Sequence, residues 1–403
     1  MRQIGNRKFF GFGRNVFITG LVSLFMDISS EMIYPLVPLF LSSVLGVNKS
    51  IIGLIEGIAE STASLLRVFS GWFSDRLGRR KGFMVFGYSI STLSRPMTAL
   101  AANWHTILGA RFIDRFGKGI RTAPRDAIIA ESTDGAFLGR AFSFQRSMDT
   151  MGAVIGPSLA FLFLAVFSND YRRVFWLSMV PGFIAVCLII FFIKEERKSS
   201  SMRSERPKLT LENFDGRFRL FLVITTLFAV GNSSDVFLIL RAQQRGIPAH
   251  LIPILYLVFN IIYSISAIPA GIAADRFGKK RIILLGFVVF AIVYFGFAVA
   301  RDAAAIWVLF SLYGLFMGLT DGTQKAFLAT MIPPDFEATG FGIYYTAVGL
   351  AMFPASLIGG WLWDHVSPSA TFYYGAITAV SSSILFVVFM VTTRRVISRQ
   401  VRI

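Results

Sequence analysis

Gly71-Trp72-Phe73-Ser74-Asp75-Arg76-Leu77-Gly78-Arg79-Arg80-Lys81 returns 200 residues later as Gly271-Ile272-Ala273-Ala274-Asp275-Arg276-Phe277-Gly278-Lys279-Lys280-Arg281. Each copy carries Gly, Asp-Arg, Gly and three basic residues at the same spacing, and each lies between two long apolar runs. A pattern of this length, recurring at matching places in two apolar arrays, marks a duplicated chain. The correspondence extends outward from the loop. Ser29-Ser30-Glu31 is echoed by Ser233-Ser234-Asp235, Pro157 by Pro354, and Gly119–Ala130 aligns with Gly318–Ala329 at an offset of 199.

Of the 403 residues, 54% are hydrophobic and 16% charged, and the mean hydropathy is +0.63. That balance is too apolar for a water-soluble chain of this length. Runs long enough to cross a hydrocarbon core as helices fall at about 15–43, 50–73, 83–102, 105–130, 141–166 and 174–193, and again at about 218–241, 250–273, 282–300, 305–331, 339–362 and 371–392. The hydrophilic stretch between them reads as a linker. The expected organisation is therefore a six-helix bundle over 1–193, a cytoplasmic linker over 194–217 and a second six-helix bundle over 218–403. Parallel repeats of this kind are related by an axis along the membrane normal, with a solute site near the midplane.

The net charge of +17 would suggest nucleic acid in a soluble protein. Here the basic residues cluster on one set of loops: Arg7 and Lys8, Arg79 to Lys81, Lys194 to Arg219, Lys279 to Arg281, and Arg394 to Arg402. The opposite loops carry Lys49, Arg172, Arg173, Arg245 and Arg301. This asymmetry places both termini and the linker in the cytoplasm, and no nucleic-acid partner is expected. The single cysteine, Cys187, excludes an intramolecular disulfide. The three histidines, His105, His250 and His365, fall near the non-cytoplasmic ends, and there is no G-x-x-x-x-G-K-[ST] loop. No enzyme, metal centre or cofactor is expected, and energy has to come from an ion gradient or from the solute's own. The first apolar run lacks a small-residue cleavage pattern and reads as the first span.

The pattern G-x-x-x-D-R-x-G-R-R-K between the second and third spans resembles the signature loop of the major facilitator superfamily, and the resemblance covers the whole chain. It implies an all-α integral membrane protein of twelve helices in two pseudo-symmetric bundles, acting as a transporter by alternating access. It also implies a gating role for Gly71, Asp75, Arg76, Gly78 and Arg79 and for Gly271, Asp275, Arg276 and Gly278. Asp75 would face the N-terminal end of the eleventh helix, and Arg79 would pair with Asp126 or Glu131. In the fifth span, Gly152-x-x-x-Gly156-Pro157-x-x-Ala160 is similar to the G-x-x-x-G-P-x-x-G pattern of antiporter branches, with Ala in place of the last Gly. Arg111 resembles the family's buried arginine of the fourth span, although Asp114-Arg115 replaces the usual Gln-Gly after it. The branch suggested is that of drug:proton antiporters.

Ionisable side chains at membrane depth cost about 2.5–3.5 kcal/mol each on insertion scales, so they face a cavity or one another. Asp27 and Glu31 share one face of the first span, and Arg111, Arg115 and Lys118 form a stripe on the fourth. Together with Asp114 and Asp235 they are the candidates for proton coupling and the solute cavity; a self-neutralising salt-bridge network is the alternative. Arg121, Arg125 and Asp126, with Asp321 and Lys325 at the repeat-related positions, are candidates for a cytoplasmic gate, the alternative being that they snorkel to the headgroups. Pro35, Pro38 and Pro157 are expected kink sites. Phe228, Phe237, Tyr344 and Tyr345 are weaker candidates for ligand contacts.

The functional expectation is proton-coupled efflux of a drug, siderophore or metabolite across a bacterial inner membrane by a monomer. Its alternative is proton-coupled uptake of an anionic or zwitterionic nutrient or siderophore. Besides the lipid bilayer, the partners are the small-molecule substrate and protons.

Overall fold

The computed structural model describes residues 13–77, 80–133, 138–194, 214–333 and 337–400. Regular structure among them is helical. The first span consists of Arg14–Ile33, the short Val37–Leu39 and a π-helical turn Phe40–Val44. Lys49–Leu77, Arg80–Ala99, Trp104–Glu131, Leu138–Val166 and Tyr171–Phe192 are the second to sixth. The seventh is again two pieces, Gly216–Gly231 and Val236–Gln244. Ile252–Phe277, Lys279–Val299, Ala303–Ala329, Glu337–His365 and Pro368–Gln400 follow as the eighth to twelfth. Nine of these stretches are long and apolar enough to cross a membrane on composition alone. The second, third and fourth are of similar length and carry many of the intramembrane charges.

Capping explains several starts. Asn103 and Asp302, at equivalent points of the repeat, accept from the N–H of Thr106 at 3.1 Å and Ala305 at 2.8 Å and so open the fourth and tenth spans. Asp170 and Asp215 do the same for the sixth and seventh; each such cap contributes about 1 kcal/mol. Gly278 adopts φ 97°, a left-handed conformation open to glycine, as the chain turns into the ninth span.

The two broken spans have different causes. Pro35 and Pro38 interrupt the first. Pro157 lies inside an uninterrupted helix. The seventh opens at Asn232-Ser233-Ser234-Asp235 without a proline, and side chains replace the lost backbone bonds, as membrane depth demands. Tyr294 Oη donates to Ser233 O at 3.3 Å and to Asn232 Oδ1 at 3.4 Å, while the Ser234 N–H donates to Ser356 Oγ at 3.2 Å.

The chain forms two compact units. One comprises Met1–Val47, Ile58–Arg203 and Ala249–Leu257, the other Asn48–Gly57, Ser204–Pro248 and Val258–Ile403. The expected linker falls largely at 195–213, outside the described residues. In the first unit, span one packs on five and six, and span three on four and six; in the second, span seven packs on eleven and twelve, and span nine on ten and twelve. The same wiring in both is what a duplicated sequence requires.

Candidate functional site

The first unit is built around a tight pairing of the first and fifth spans. A Cβ added at Gly152 would fall 2.7 Å from Asp27 Cβ and 2.9 Å from Leu24 O; at Gly156 it would fall 2.8 Å from Glu31 Cβ and 3.0 Å from Ile28 O. Small residues four apart let two backbones meet closely. Here they do so at the two acids of the first span, so the glycine motif and the acidic face, read separately in the sequence, form one feature. Pro157 follows directly, and Ala160, which replaces the last glycine, is fully buried.

A polar network crosses the third and fourth spans. Arg95 is 1% exposed. Its Nε donates to Ser29 Oγ at 3.2 Å and its Nη2 to Ser30 Oγ at 3.1 Å, and it pairs with Asp114 at 3.1 Å. The fit depends on glycine: a Cβ at Gly87 would lie 2.8 Å from the Gly117 carbonyl oxygen. Arg121 Nη1 donates to Ser91 Oγ at 2.6 Å and its guanidinium lies 4.5 Å from the Tyr88 ring centroid. Arg115 pairs with Glu60 at 2.8 Å, and Arg111 and Arg115 both lie over the ring of Tyr34, at 5.6 and 6.0 Å. Tyr34 in turn packs on Tyr256. Of the fourth-span stripe, Arg115 is thus paired with an acid of its own unit, and it and Arg111 both face the Tyr34 ring.

Glu31 departs from that pattern. Its Oε2 is buried with no hydrogen-bond partner. The positive charges that act on it are, in decreasing order, those of Lys118, Arg115, Arg111 and Arg95. Asp27, one turn earlier, feels Asp149 and Glu31 as like charges and Lys118 and Arg121 as opposite ones. Lys118 itself is solvent-accessible.

In the second unit Asp235 stands at the break in the seventh span, where Tyr313 Oη donates to it at 2.6 Å. The gate candidates find partners within their own units. Arg125 pairs with Asp126 at 2.8 Å and reaches Ser23 Oγ, and Lys325 pairs with Asp321 at 2.7 Å, which also accepts from Tyr263 Oη. Phe228, Phe237 and Tyr344 are buried in packed aromatic clusters; Phe228 stacks on Phe287 at 4.3 Å.

Of the first signature loop, Gly78 and Arg79, the surroundings of Gly71 and the side chains of Asp75 and Arg76 lie outside the described residues. The next two residues tie the loop down: Arg80 pairs with Glu131 at 2.6 Å, and Lys81 Nζ donates to the carbonyls of Ile190 and Ile193 at the end of the sixth span. In the second copy Asp275 pairs with Lys279 at 3.4 Å, and the Arg276 guanidinium lies 5.4 Å from the Phe277 ring. A Cβ at Gly271 would meet nothing within 4 Å, so close packing does not require that glycine.

Arg95, Tyr34 and Asp149 belong to the network without having been singled out, whereas Glu60 stands out in the sequence as sharing a face of the second span with Glu56. Arg95 and Asp149 were visible only as intramembrane charges. Tyr34 carried no signal beyond its place one turn after Glu31.

The family model of the Major Facilitator Superfamily matches residues 19–239 and 220–402. An uncharacterised MFS-type transporter of Methanocaldococcus jannaschii is 38% identical over 378 residues, which cover 92% of this chain and 94% of that one. A multi-drug resistance efflux pump homologue of Lactococcus lactis is 25% identical, with 93% and 92% covered. Among solved structures, a POT family transporter in complex with 5-aminolevulinic acid superposes with a TM-score of 0.82 at 11% identity, over 96% of this chain and 98% of that one.

Proposed function

Because this chain belongs to the major facilitator superfamily, we propose that it moves a small solute across a bacterial inner membrane by proton-coupled alternating access, with export as the direction. The fold is that of a multi-pass membrane transporter. The observation that carries proton coupling is Glu31. A buried carboxylate oxygen with no donor, set among cations, has the makings of a group that exchanges a proton as access alternates. Export is supported by the glycine motif of the fifth span and by the likeness to an efflux pump homologue. Both termini and the linker are assigned to the cytoplasm on the charge asymmetry of the loops. Asp75 and Asp275, with the glycines and arginines around them, serve in this reading to hold one conformation and not to bind solute.

The second reading is uptake of a zwitterion or anion, favoured by Arg111, Arg115 and Lys118 along the fourth span. The test uses the purified protein in oriented proteoliposomes with two probes, ethidium and 5-aminolevulinic acid. Export by antiport predicts that vesicles of inverted orientation with an acid interior accumulate ethidium. Symport predicts that right-side-out vesicles in acid medium accumulate 5-aminolevulinic acid. In either case Glu31→Gln is expected to lower gradient-driven accumulation at least about tenfold while exchange of labelled for unlabelled probe persists. Accumulation in Glu31→Gln equal to the parent's removes Glu31 from the coupling path.

A further inference from the structure

The first and fifth spans rise together in register. Gly20 faces Phe144 and Met148, Gly152 faces Asp27, and Gly156 faces Glu31. One rung is fixed by a hydrogen bond, Gln145 Nε2 to Ser23 Oγ at 3.2 Å. Four residues further along each helix, on the same faces, stand Asp27 and Asp149. The glycine contacts immediately above hold the two backbones together at this level, so the acids oppose each other across a clamped interface. Asp149 Oδ2 accepts from Gln145 Nε2 at 2.6 Å, whereas Asp149 Oδ1 is buried with no hydrogen-bond partner.

We propose that Asp27 and Asp149 share one proton and form a second proton-binding site beside Glu31; this rests on the proton-coupled reading above. Two carboxylates facing each other across closely packed helices repel when both are charged, and one shared proton removes that repulsion. A single proton converts one of them into an O–H donor, which supplies the partner that Asp149 Oδ1 lacks. The pair then carries one negative charge. Charged and titratable groups of three spans face it. Glu31 stands one turn along the first span, the fourth span brings Lys118, Arg121 and Arg125, and the third brings Tyr88. The sixth span, also packed on the first, meets it at Ser29 through the uncharged Gly182. Arg125 is itself paired with Asp126, and the proton is held between two helices and not on one.

Infrared difference spectra of the lipid-reconstituted full chain, recorded against pH without any solute, test this through the C=O stretch of protonated carboxyl groups. One band is expected to vanish alike in Asp27→Asn and Asp149→Asn and to survive in Glu31→Gln. Feeding aspartate with heavy carboxyl carbon should shift that band in the unmutated protein, and Gln145→Leu, which removes a donor and no acid, should move its frequency. These two arms keep the test valid if either Asn variant fails to fold. A band insensitive to labelled aspartate and to Gln145→Leu overturns the pair, as does a band lost in only one Asn variant. Absence of the Glu31-dependent band with the aspartate band present sinks the Glu31 reading and leaves the pair standing.

Discussion

Arg95 and Asp114 in the first unit occupy the positions at which the second unit has Tyr294 and Tyr313, at an offset of 199 residues. The same offset sets Tyr88, Ser91 and Arg121 against Phe287, Phe290 and Thr320. Backbone packing is conserved across the repeat. Gly119 leaves room for Leu66 and Gly318 for Ser266, while Gly87 faces Arg121 and Gly286 faces Thr320. The chemistry is not. Where the first unit joins its spans with an ion pair and guanidinium hydrogen bonds, the second packs ring on ring, with Phe290 of the ninth span edge-on to Phe316 of the tenth at 4.9 Å. Even the partner of the broken helix is preserved in place and changed in kind: Arg95 donates to Ser29 and Ser30, Tyr294 to Asn232 and the Ser233 carbonyl. The second unit thus demonstrates that this fold does not need buried ions at these positions.

The largest effect that would break the comparison is expected from Arg95→Met. It strands Asp114 and should cost about 3–5 kcal/mol, read as a fall in unfolding midpoint in detergent. The double variant Arg95→Met/Asp114→Leu should recover a large part of that loss. A double variant as unstable as the single one would mean that Arg95 acts mainly through the serines of the first span. Next comes Gly87→Ala, whose methyl would press on the Gly117 carbonyl and should cost about 1–3 kcal/mol. Gly286→Ala should cost less in the same assay, because the obstacle there is the rotatable methyl of Thr320. Equal losses would indicate that the two helix pairs are equally rigid. The smallest effect is expected from Tyr294→Phe, about 0.6 kcal/mol for one hydrogen bond within a membrane bundle, with the ring stacking retained.

Much of the fold was legible because duplication and hydrophobic run length are properties of the sequence itself. The span positions, the two sets of six and the intramembrane charges could all be counted. The break in the seventh span was missed: it has no proline, and its signal was the short polar run Asn232 to Asp235 within an otherwise apolar stretch. The site was legible as residue types and not as partners. Asp27, Glu31 and the fourth-span stripe stood out, but which arginine is neutralised and which carboxylate is left without a donor depends on helix register. Likewise, Gly152 and Gly156 carry no label in the sequence saying that they face Asp27 and Glu31. Arg241 shows the limit from the other side. It counted as one more intramembrane charge, yet its guanidinium is engaged by Phe297 O, Ala298 O, Gln244 and Ser369.

That arrangement of Arg241 bears on how the chain is made. Ribosomes deliver residues in order, and Arg95 emerges after Ser29 and Ser30 are already in place. Arg241 emerges 56 residues before Phe297 and 128 before Ser369. During synthesis Gln244 of the same helix is the one of these partners already at hand, and the guanidinium is fully engaged once the ninth and twelfth spans arrive.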